Sequence, residues 1–191
     1  MSAVRRFSLA FLLVLAMALP ASATTVRVLG VGELTDHADL VVEGTVAGVE
    51  VVKTRAAPGI FTHYVVEVDR DFSGFATETV TLSIPGGKLD KREVMIEGMP
   101  VLTIGAHVLL ILETLPKAAF DDGGAHHIPL GLGQGLFELD SSDTPTFKRR
   151  PSPISTAGFR PFCTGGEWVS DFDADELRRF LKARLAKGRQ E

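Results

Sequence analysis

Apolar and polar residues alternate along most of this chain, the pattern of half-buried extended strands. Leu40–Val52 is a long β-branched run broken by Gly44 and Gly48, and glycines inside a strand mark bulges or tight coiling. Glu33–Asp39 predicts one helical turn ahead of it, and Arg55–Gly59, with Pro58-Gly59, predicts a turn behind it. The next strand is expected over Phe61–Phe72, with Tyr64, Val66, Val68 and Phe72 on one face and His63, Glu67, Asp69 and Asp71 on the other. Val80, Leu82 and Ile84 then alternate with Thr79, Thr81 and Ser83 until Pro85-Gly86-Gly87 stops the run.

Lys88–Ile104 is a long connection, with a short strand expected at Glu93–Ile96. Val108–Leu112 is apolar at every position and should be the most buried strand. Leu115–Ala125 is a loop, and Ile128–Leu139 closes the sheet, with Phe137 and Leu139 inward, Glu138 outward and Gly131–Gly135 as a bulge. Five strands with a long excursion between the third and fourth match an OB-type barrel. The expected fold is therefore mainly β: a five-stranded OB-like Greek-key barrel over residues 24–140 with a C-terminal α-helix. Residues 141–170 read as an extended Pro/Gly-rich strap. Residues 171–191 carry the helix, over Ala174–Lys187, with Asp171 or Asp173 as its cap. Leu177, Phe180, Leu181 and Leu185 form an apolar stripe that should dock on the barrel.

The N-terminus changes the picture of where the chain works. Arg5 and Arg6 precede an apolar run, Phe7–Leu19, and Ala21-Ser22-Ala23 has the small residues of a cleavage site. These are the parts of a Sec-type signal peptide spanning residues 1–23, with cleavage expected after Ala23. The run is too short for the ~20 residues of a membrane span. The expected location is secreted or periplasmic, without a membrane association after cleavage.

The whole chain has a formal charge of −4, and removing its first 23 residues takes away two arginines and no acid. An acidic surface without a basic stripe argues against nucleic acid as partner. One cysteine, Cys163, excludes an intramolecular disulfide and Cys-rich metal sites.

The order of elements resembles netrin-like modules, the OB-type barrels of tissue inhibitors of metalloproteinases. The matching stretches are Ala38–Val46, Thr62–Val68 and Gly105–Leu110. The chain also resembles a group of exported bacterial proteins, through Gly98-Met99-Pro100 before the buried strand and Gln134-Gly135 before the last. The resemblance implies a fold and an exported barrel presenting loops to a macromolecule. It does not carry the inhibitory chemistry, which uses an N-terminal cysteine, because cleavage after Ala23 would leave Thr24-Thr25-Val26 first.

Candidate chemistry concentrates in Asp121-Asp122-Gly123-Gly124-Ala125-His126-His127. Acids and imidazoles in one loop are metal-ligand types, but neighbouring residues on a strand point to opposite faces, so His126 and His127 are poorly placed to share an ion. Asp121, Asp122, His126, His127 and Gln134 are the expected binding residues. No catalytic residue, metal or cofactor is assigned. Gly131-Leu132-Gly133-Gln134-Gly135 lacks the helix that a phosphate loop must open. Cys163 lies near Arg160, yet no histidine is identified as its base. Glu43, Glu67, Asp69 and Asp71 could pair as hydrolase carboxylates, although alternating acids are also what a water-facing strand contains.

The expectation is thus an exported, non-enzymatic module that binds a protein or peptide through the loops Thr54–Gly59, Pro85–Lys91 and Leu115–His127. The alternatives are a metal-dependent hydrolase using the Asp121–His127 loop and an envelope structural or assembly protein.

Overall fold

The computed structural model describes residues 28–96, 98–141, 144–149 and 170–188. The expected signal peptide, Cys163 and most of the expected strap lie outside the described residues. In chain order the elements are α1 (Val31–Asp36), β1 (Leu40–Lys53), β2 (Ile60–Asp71), β3 (Thr79–Pro85), β4 (Gly87–Leu89) and β5 (Arg92–Val94). After them come β6 (His107–Thr114), a 3-10 turn (Lys117–Ala119), β7 (His126–Pro129), β8 (Leu136–Asp140), β9 (Thr146–Arg149), β10 (Asp171–Asp173) and α2 (Ala174–Gly188). The protein is mainly β with a C-terminal helix.

The described strands form an eight-stranded sheet in the order β1-β2-β3-β7-β6-β8-β9-β10, plus the separate hairpin β4-β5. Five strands were expected, and two features account for the difference. The run Ile128–Leu139 is divided into β7 and β8, both on one edge of β6. Between them Gly131, Leu132 and Gly133 take positive φ, which the glycines adopt without the steric cost of a Cβ. The chain is pinched shut where Gly135 N–H donates to the Leu130 carbonyl at 2.9 Å. The bulge expected at Gly131–Gly135 is therefore a complete extruded turn. Beyond it, β8 continues the sheet through β9, which lies within the expected strap, and β10.

β1 pairs with β2 along its length and with β6 through its first half, so the chain of pairings β1-β2-β3-β7-β6 returns to β1. β3 and β7 are parallel, and the other ladders are antiparallel. Register shifts fall at Glu43/Gly44 and Val46/Gly48, the positions where the two glycines interrupt the strand. At Gly44 a Cβ would stand 2.1 Å from the Glu67 carbonyl oxygen, so the close approach of β1 to β2 there requires glycine.

β6 lies between two cores, which explains why its sequence is apolar on both faces. Val108, Leu110 and Leu112 join Val42, Tyr64, Val66, Leu82 and Leu136 in one. Leu109 and Ile111 join Leu34, Phe137, Phe147, Leu177 and Leu181 in the other. All five residues Val108–Leu112 are 0% exposed. Phe72, expected on the face of Tyr64 and Val66, belongs to the second core instead, because it follows the end of β2. The helix docks on the sheet of its own chain. Asp173 caps it by accepting from the Glu176 N–H at 2.8 Å. Phe180, expected in the docking stripe, is 40% exposed and lies beneath the Arg184 guanidinium. Among the described residues no helix is long and apolar enough to cross a membrane.

Candidate functional site

The β6–β7 loop, Leu115–Ala125, is held down by its one aromatic residue. Phe120 is buried, stacks on His126 with ring centroids 3.9 Å apart, and meets Phe61 and His63 edge-on at 5.3 Å. Asp122 then turns back. Its carboxylate accepts from the Gly124 N–H at 3.0 Å and receives His126 Nε2 at 2.8 and 3.0 Å. A carboxylate only accepts, so Nε2 carries a proton, and Nδ1 is hydrogen-bonded to the Ser83 hydroxyl at 2.8 Å. The His126 hydrogen bond, with that from Gly124, holds the Asp122 carboxyl below its ordinary range.

Asp122, His126 and Ser83 are the residue types of a hydrolase triad, but Ser83 is 0% exposed and His126 2%. A buried hydroxyl cannot meet a substrate carbonyl, so the chain of bonds acts as a seam between β3, β7 and the loop. Asp121 points elsewhere and faces Arg55 of the β1–β2 turn at 3.5 Å. This exposed pair joins two of the three loops expected to bind, and such pairs are worth little in stability. His126 and His127 have separate partners, as the strand alternation requires: His127 Nδ1 lies 3.3 Å from the Thr114 hydroxyl. Burial pushes the His127 imidazole below its usual pKa.

Between this loop and the β2–β3 connection lies a cavity of about 570 Å³. Asp39, Thr79, Thr114, Asp122 and His127 line it, with Phe75 among them. Phe75 is 78% exposed. Among the described residues no lysine or arginine lines it. The Asp39 carboxylate accepts one bond, from the Thr114 N–H at 2.7 Å, which leaves acceptor capacity on both acids. A groove of about 330 Å³ opens between the β4-β5 hairpin and Met99-Pro100, bordered by Met95 and Val101, and among the described residues Lys88 and Glu93 are the charged ones that line it. Asp39, Asp122 and the hydroxyls of Thr79 and Thr114 share the first cavity.

Comparison with known proteins finds no matching family, no matching curated protein and no matching solved structure. The functional reading therefore rests on the geometry of this chain.

The remaining candidates serve the fold. Gln134 lies away from the loop, where its Oε1 accepts from the Leu29 N–H at 2.9 Å and from Arg149 Nη2 at 3.2 Å. Its carbonyl accepts from Arg149 Nε at 2.8 Å. Burial lowers the Arg149 pKa to about 10. Glu43 is buried and held by Arg178, Arg70 and His107. Burial alone would raise its pKa, but the Arg178 and His107 hydrogen bonds, with the charges of Arg178 and Arg70, outweigh burial and lower it. Asp71 closes the turn after β2 by accepting from the N–H groups of Ser73, Gly74 and Ala76. Asp69 accepts from the Thr45 hydroxyl at 3.3 Å. Glu43, Asp69 and Asp71 are thus engaged in internal bonds, and Glu67 faces solvent. Among the described residues no group of three or more His, Cys, Asp or Glu is placed to hold a metal ion.

Asp39, Phe75 and Thr114 were not singled out from the sequence, because nothing local brings them beside Asp122. Phe120 carried the one readable signal: a lone aromatic in a loop otherwise of Leu, Pro, Lys, Ala, Asp and Gly.

Proposed function

We propose that this chain is an exported, non-enzymatic module of OB-like Greek-key design that binds a protein partner through its loops. A lysine or arginine side chain of that partner enters the Asp39–Asp122 cavity. The observation that carries this reading is the lining: two carboxylates, threonine hydroxyls and an exposed phenylalanine, with no lysine or arginine among the described residues. Carboxylates accept from an ammonium or guanidinium, and an aromatic face or edge covers the aliphatic stem or the charge. Arg5, Arg6, the apolar run and Ala21-Ser22-Ala23 support export. The return of the pairings to β1 and the parallel β3–β7 pair support the OB-like description. The buried Ser83 hydroxyl supports binding over hydrolysis.

A displayed random-peptide library selected on the purified protein tests this. Enriched peptides should share a Lys or Arg, and replacing it with norleucine should weaken binding about tenfold, equivalent to about 1.4 kcal/mol. The Asp39→Asn/Asp122→Asn protein, which keeps the internal acceptors, should lose the same factor in calorimetry. Selected peptides without a basic residue, or equal binding to the double variant, would contradict the proposal.

A further inference from the structure

His63 sits on β2 opposite Glu50 of β1 and Ser83 of β3. The rings of His126 and Phe120 lie on it at 4.8 and 5.3 Å. Among the described residues its Nε2 is the single buried side-chain nitrogen or oxygen with no hydrogen-bond partner. Its nearest polar neighbours, Ser83 and Asp122, are both turned to His126, and neither forms a hydrogen bond with His63 Nε2. A neutral imidazole tolerates that position, whereas an imidazolium there buries a charge and an N–H with no acceptor.

The charged and titratable groups around it do not cancel this cost. His126 is a second imidazole at close range, and the Asp122 and Glu50 carboxylates attract a charge only weakly. Burial first, and His126 next, push the His63 pKa below its ordinary 6.5 against the pull of Asp122 and Glu50. Arg55 and Asp121 are paired at the exposed loop tips. Glu50 is exposed, so a charged His63 is better satisfied in water beside Glu50 than beneath Phe120.

We propose that protonation of His63 releases the loop Leu115–Ala125: the imidazolium swings out toward Glu50, Phe120 loses its seat, and the wall that Asp122 forms comes away. The cavity is thereby assembled at neutral pH and opened in acid. In the open state His63 is solvated and takes its ordinary pKa, so opening grows as the pH falls below about 6.5 and levels off below the closed-state value. The consequence for a bound partner rests on the function proposed above, but release of the loop does not.

Amide hydrogen exchange over residues 115–125, corrected for the intrinsic rate, reads the opening without any ligand. Between pH about 7.5 and about 5.5, either side of the ordinary histidine value, protection should fall about tenfold, while Leu109–Ile111 stays protected. His63→Phe, which keeps a ring against Phe120, should abolish the pH effect, and His127→Gln should retain it. Should the Phe variant not fold, His63→Gln replaces it, and the NMR titration of His63 in the native protein must share its midpoint with the exchange change. Equal protection at both pH values, a pH effect that survives in the His63 variant, or a separate midpoint would overturn the proposal. Loss of peptide selection at neutral pH would sink the binding function alone, because the exchange measurement contains no peptide.

Discussion

Arg178 donates to both carboxylate oxygens of Glu43, from Nε at 2.9 Å and from Nη2 at 2.6 Å, across 135 positions of sequence. The pair fastens α2 to β1 beside the second core. Replacing Arg178 by Met should cost about 2–4 kcal/mol in urea unfolding, because a buried carboxylate then loses its bidentate partner while Arg70 and His107 remain. Removing both charges with Glu43→Leu/Arg178→Leu should cost less than Arg178→Met alone. A double variant less stable than the single one would show that the pair contributes more than the removal of an unpaired charge.

Acid should weaken the fold in two stages. His63 and His127 are held below their ordinary 6.5, so the unfolded chain takes protons that the native one refuses. Stability falls as the pH drops through 6.5 toward their folded values. Glu43 and Asp71 are held below 4.5 and 3.8 by hydrogen bonds that outweigh burial. Their contribution is complete above those values and is lost as the pH falls through the lower folded ones. Urea titrations from pH about 8 to about 3 should show both declines, and a flat upper stage would contradict the histidine assignment.

Ser83 should be chemically silent. A fluorophosphonate probe should leave it unmodified by mass spectrometry, because its hydroxyl is sealed beneath the loop. Ser83→Ala should nonetheless cost about 1–3 kcal/mol, since His126 Nδ1 loses its buried hydrogen-bond partner. Rapid labelling would show that the loop admits substrates.

Gly44 and Gly48 interrupt the same strand but should respond differently. A Cβ at Gly44 meets the Glu67 carbonyl at 2.1 Å, whereas at Gly48 the nearest atom is Val65 Cβ at 3.8 Å. Gly44→Ala should cost about 3 kcal/mol or prevent folding, and Gly48→Ala should be nearly neutral. Thermal melts of the two variants check this, and equal stabilities would contradict the backbone contact.

Much of the strand layout was readable because alternation is a local property: each apolar side chain needs only its own strand to reach the same face. The two-faced Val108–Leu112 announced a strand buried on both sides, and Gly44 and Gly48 announced the bulges. The division of Ile128–Leu139 was less readable, since Gly135 is forced by the Ile111 carbonyl, 2.3 Å from where a Cβ would stand. Among the site residues, Asp122, His126 and His127 were found by type, and the cavity contains all three. Asp121 and Gln134 were of the same types, but Arg55 and Arg149 engage them elsewhere.

The order of residues by itself determined where this chain extends, bulges and turns, because those preferences act within a few bonds. It also sets Arg5 and Arg6, an apolar run and Ala21-Ser22-Ala23 at the start of the chain. Tertiary structure alone decided that Phe120 seals Ser83 and His63, that Glu43 belongs to Arg178, and that Asp39 faces the same space as Asp122. Those outcomes depend on water being excluded between segments far apart in sequence, and exclusion is a property of the packed whole.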